Sequence, residues 1–80
     1  MTYYFEFKNK RDETPLWIAS ERGYGDIVSI LLSKSAQVDA QNKFGEGPIY
    51  IACRNGHCEV VRHLLSSKAN TNLQTNFGYT

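Results

Sequence analysis

The sequence predicts an all-α fold, a solenoid of stacked helix-turn-helix units, and three observations carry that prediction. Glu13-Thr14-Pro15-Leu16-Trp17-Ile18-Ala19 returns thirty-three residues later as Glu46-Gly47-Pro48-Ile49-Tyr50-Ile51-Ala52. The register then holds without insertion: residues 13–45 and 46–78 share Glu, Pro, Ile, Ala, Gly, Val, two Leu, Ser, Ala, Gln, Phe and Gly, thirteen identities in thirty-three positions. Within each copy, apolar residues recur at the spacing of buried helical faces on either side of a glycine. A fixed period of this length marks units that bury an apolar face only by stacking on a neighbour.

Lys10-Arg11-Asp12-Glu13 is polar and leads into Thr14-Pro15, a side-chain N-cap followed by proline at the first helical position. The first helix starts there and presents Leu16, Ile18 and Ala19 on an apolar face. It ends at Arg22-Gly23, since glycine suits the left-handed residue that closes a helix. Asp26 places a carboxylate in the first turn of a second helix, where the macrodipole favours it. Ile27, Val28, Ile30, Leu31 and Leu32 are the expected buried face of that helix, and Ser33 to Ala36 closes the unit. Gln37 to Asn42 is too polar and too short for a core strand. It reads as an extended segment leading to a turn at Lys43-Phe44-Gly45.

The second copy repeats this plan. Gly47 replaces Thr14 as N-cap at a cost of only about a few tenths of a kcal/mol. Pro48 begins the helix, Asn55-Gly56 ends it, and Glu59 stands in the place of Asp26. Val60, Val61, Leu64 and Leu65 are expected to carry the buried face. Residues 1–12 read as an N-terminal cap or partial unit, because Tyr3, Phe5 and Phe7 need burial and Asn9-Lys10 already matches Asn42-Lys43. A third turn opens near Thr75, and residues 79–80 begin a truncated third unit.

Eighty residues allow at most one domain with a modest buried share. Net charge of +1, with basic and acidic residues interspersed, makes no extended basic face of the kind that tracks a phosphate backbone, so nucleic acid is not an expected partner. No apolar run reaches the roughly 18 residues of a membrane span, and Met1 to Lys10 lacks the pattern of a secretory signal. The expectation is an intracellular, cytoplasmic, monomeric module without membrane contact. Cys53 and Cys58 fall in one copy only and read as reduced thiols.

Turn, Thr-Pro-Leu helix, glycine, a second helix ending in Leu-Leu, then Ala and a return to the next turn: over residues 13–78 the chain resembles the ankyrin repeat family. The resemblance implies units of two antiparallel helices with projecting β-turns, and protein–protein binding through the concave surface of turn tips and inner helices. Mapped onto this sequence, that surface takes Lys10, Arg11 and Glu13 from the first turn and Lys43, Phe44 and Glu46 from the second. Glu21, Arg22, Arg54 and Asn55 come from inner-helix ends, and Asn76 and Phe77 from the third turn. Trp17 and Tyr50 stand where the family usually carries His, and Ser35 and Lys68 where it usually carries Gly. His63 falls at a position expected to face the core.

Phe44 is the most informative of these residues, since aromatics are enriched at binding hot spots; the alternative is packing along the turn row against Arg11 and Phe77. Trp17 and Tyr50, one period apart, are expected side by side on the inner face, as a packed row or as an anchor for a partner's apolar side chain. Cys53, His57, Cys58 and His63 are ligand-type residues within eleven positions, but they would have to converge from two antiparallel helices and a loop, with Cys53 and His63 expected inside the helix contact. No metal or cofactor is expected. A Cys nucleophile with a His base would need a positioned third group and an oxyanion site, which nothing supplies, so catalytic residues are not expected either. The remaining alternative is a structural spacer within a larger multidomain protein, enzymatic or channel-forming.

Overall fold

The computed structural model describes residues 7–71. Four helices follow one another: α1 (Pro15–Arg22), α2 (Gly25–Ser33), α3 (Pro48–Arg54) and α4 (Cys58–Ser66). There is no strand among the described residues. Within units α1 packs on α2 and α3 on α4; across units α1 meets α3 and α2 meets α4. Each helix therefore lies against its own counterpart one period away, which is the arrangement that the repeat requires.

The helix ends form where local chemistry places them. Thr14 Oγ1 accepts a 3.1 Å bond from the Trp17 N–H, satisfying one of the first-turn donors that have no partner within the helix. Gly23 closes α1 in the left-handed region at φ 77°, its N–H donating to Ala19 O. Beyond α2 and α4, Ser35 and Lys68 adopt φ of 68° and 65°. Both stand at positions that favour glycine, so each carries strain on the order of 1 kcal/mol. The fold accepts it because Ala36 N–H and Ala69 N–H can then bond Leu31 O and Leu64 O, closing each helix.

Leu16, Ala19, Val28 and Ala36 of the first unit form one buried cluster with Ile49, Ala52, Val60 and Leu64 of the second. Leu31, Leu32, Val38, Val61 and Ala69 pack partly buried around it. The expected apolar faces need correction at three places. Ile27 (47%), Ile30 (55%) and Leu65 (47%) are exposed. A helix in a stack has two apolar sides, one for each neighbour. Val60, one period from Ile27, is fully buried because the first unit lies on it, whereas no described unit lies on the matching side of Ile27. Cys53 and His63 are likewise not inside the helix contact: Cys53 is exposed and the His63 side chain is about a third exposed (35%). Finally, the stretch expected to be extended before the second turn contains a turn of its own at Val38-Asp39.

Candidate functional site

One asparagine builds each projecting turn. Asn42 Oδ1 accepts from the N–H groups of Phe44 (3.0 Å) and Glu46 (2.9 Å), and its amide donates to Glu46 Oε1 at 2.8 Å. Its backbone closes the loop, with Asn42 N–H donating to Glu46 O and Gly45 N–H donating to Asn42 O. Asn9 repeats the device: Oδ1 accepts from Arg11 N–H (2.9 Å) and Glu13 N–H (3.0 Å), and the amide donates to Glu13 Oε1 at 2.9 Å. The two turns are tied to each other, since Lys43 N–H donates to Arg11 O at 3.0 Å. Gln41 Nε2 adds a bond to Gly45 O at 2.6 Å. The result is a row whose backbone is held by bonds internal to it.

What the row shows to solvent follows from that geometry. Lys10 and Arg11 are exposed on the first tip, Lys43 and Phe44 on the second. Phe44 keeps 40% of its surface exposed, with the Lys43 ammonium 5.5 Å from its ring centre, within the range of a cation–π contact. Glu13 and Glu46 are half-buried and turn back toward their own asparagines. Arg54 reaches Glu46 Oε2 at 3.9 Å, a long pair whose arginine is exposed, so it contributes little to stability. Tyr50 is half-buried.

Trp17 belongs to the seam between units and not to the displayed surface. It is 3% exposed, and its indole N–H donates to Glu46 O at 2.9 Å. The indole thus spends its one N–H on the backbone of the second unit. At the far end of the inner helices, Arg22 and Arg54 are exposed, while the Glu21 carbonyl accepts from Asn55 Nδ2 (2.9 Å) and lies 2.9 Å from His57 Nε2. A carbonyl oxygen can only accept, so Nε2 carries the hydrogen. Asn55 is therefore a clamp between units as well as a surface residue. Asn76 and Phe77 lie outside the described residues.

Asn9, Asn42 and His57 are the positions that sequence reasoning missed. Asn9 and Asn42 were visible as a matched pair four residues before Glu13 and Glu46, a spacing that allows one side chain to accept two backbone N–H groups. Cys53 and Cys58 are free and exposed, and among the described residues no cluster of His, Cys, Asp and Glu could hold a metal ion. No described helix is long and apolar enough to cross a membrane.

A family model described as ankyrin repeats (3 copies) matches residues 3–75. None of the curated proteins compared with the chain matches it.

Proposed function

Because this chain belongs to the ankyrin repeat family, whose members are generally protein–protein interaction modules, we propose that it binds a partner protein through the turn row and the adjoining inner-helix ends. The observation that carries this reading is Phe44: an aromatic ring raised on a tip whose shape is held by bonds to its backbone and to Asn42. The turn does not need an aromatic there, and partners do use them. Around it, Lys10, Arg11 and Lys43 give the tips a basic rim, so the favoured partner segment carries carboxylates flanking an apolar side chain. Glu13, Glu46, Tyr50, Arg54, Glu21, Arg22 and Asn55 complete the surface; in sequence register Asn76 and Phe77 correspond to Lys43 and Phe44. Trp17 supports it from behind.

The test compares capture of partner protein by the wild type, Phe44→Ala and Lys43→Glu, each at matched folded concentration, with a thermal scan of each variant. Phe44→Ala is expected to weaken capture about tenfold or more, at an unchanged Tm. Lys43→Glu is expected to weaken it further at low salt than at high salt. Loss of fold in Phe44→Ala with unchanged binding per folded molecule would overturn the reading. Indifference of every surface variant, with function depending only on the number of units, would favour the structural spacer.

A further inference from the structure

We infer that Asn55 is a site of spontaneous deamidation, held in check by the contact between the two units and able to loosen that contact once it has reacted. The modification hydrolyses a side-chain amide to a carboxylate, with water as the only co-reactant. It falls on the clamp between α1 and α3 and leaves the turn tips unaltered.

Asparagine is a thermolabile residue, and the residue that follows it decides how fast it reacts. The next backbone nitrogen attacks Cγ, and a side chain on that residue obstructs the approach. Of the six asparagines only Asn55 is followed by glycine; the others precede Lys, Thr, Leu or Phe. In the reaction the Gly56 N–H gives up its proton, its nitrogen bonds Asn55 Cγ, and Nδ2 leaves as ammonia with that proton. Water then opens the five-membered imide. Cleavage of the new Cγ–N bond gives aspartate, whereas cleavage of the original peptide C–N bond gives isoaspartate, with the chain running through Cβ and Cγ. Water reaches the site, since Asn55 is exposed. Its counterpart Arg22 is exposed too, although the second unit packs against α1, so access at this register position survives stacking.

The fold holds each reacting group away from this path. Gly56 N–H donates to Cys53 O at 3.1 Å, which keeps its proton in place. Asn55 Nδ2 donates to Glu21 O at 2.9 Å, fixing the amide against the first unit. Ring closure also needs the Gly56 nitrogen to eclipse Cβ about the Cα–C bond, and at the observed ψ of 1° it stands far from that position. Reaction therefore requires the last turn of α3 to fray and the Glu21 bond to open, a local unfolding of this joint. The product then undoes the clamp. A carboxylate has no N–H to offer Glu21 O, so two acceptors face each other, and it lies at the C-terminal end of α3, where the macrodipole disfavours it. Isoaspartate adds a methylene to the backbone just before His57, displacing the Nε2 bond to the same carbonyl as well.

The full 80-residue chain, aged in mildly alkaline buffer with guanidinium and followed by peptide mass mapping, is expected to convert Asn55 before any other asparagine. Folded, in the same buffer without guanidinium, Asn55 is expected to react at least about tenfold more slowly, since only the opened joint is competent. His57→Ala keeps the Asn-Gly pair and removes the second bond to Glu21 O. It is expected to match the wild type in guanidinium and to react at least about threefold faster than the wild type when folded. The separated deamidated chain, and Asn55→Asp shown by circular dichroism to be folded, are each expected to melt roughly 4 °C or more below the wild type. The inference is overturned if another asparagine reacts first in guanidinium, or if neither folding nor His57→Ala changes the rate at Asn55. It is equally overturned if the deamidated chain and Asn55→Asp melt with the wild type.

Discussion

Asn42 is buried, accepts from two backbone N–H groups and donates to Glu46. Truncating it removes the partner of two amides and a carboxylate at once. Asn42→Ala is therefore expected to destabilise by about 1–3 kcal/mol in a thermal or urea titration. Asn9→Ala should cost less, because water reaches the exposed first turn and replaces the lost partner. Strain gives the opposite sign. Ser35 sits at φ 68° on the surface, so Ser35→Gly is expected to stabilise by about 0.5–1 kcal/mol, a rise of roughly 3–6 °C in Tm. The Ser35 strain was legible, because a position where glycine is usual pointed to it. Asp12 was not: it holds φ 61° where the second turn uses Gly45 at φ 80°, and aspartate's tolerance of that region leaves no mark in the sequence.

At the scale of elements, the joint between α1 and α4 turns on a pair of residues. Gly23 is left-handed and lies directly beneath the His57 ring, and His57 Nε2 donates to the last turn of α1. Gly23→Ala meets both objections together, a strained φ and a Cβ inside van der Waals contact. A loss of more than about 1 kcal/mol is expected, and adding His57→Ala should relieve only the steric part. Unfolding of the two single variants and the double variant measures the difference as a coupling energy. The helices themselves were readable to within a residue or two, since Thr14-Pro15, Gly23, Pro48 and Asn55 each act locally. The role of His57 was not, because its bond spans thirty-six positions and belongs to packing.

For the whole molecule, stability resides in the seam. Val28, Val60 and Leu64 are fully buried there, in a single cluster drawn from both units. Leu64→Ala is expected to cost about 2–5 kcal/mol, much of what a domain this small possesses. Period and helix spacing made the stack legible, and the turn tips with it. Which apolar positions face a neighbour could not be read, because Ile27 and Val60, or Leu32 and Leu65, look alike in sequence and differ only in whether a described unit lies on that side. The same limit left Trp17 open between a packed row and an anchor for a partner; its indole bonds the backbone of the next unit.

Among the described residues, two units that hide leucines and valines against each other must also unfold together. Val60→Asp, followed residue by residue through amide hydrogen exchange, tests this most directly. Protection is expected to fall in α1 and α2 as far as in α3 and α4, although the substitution lies in α4 alone. Retention of wild-type protection in α1 and α2 would show that the first unit stands without the second, and would contradict the stacked account.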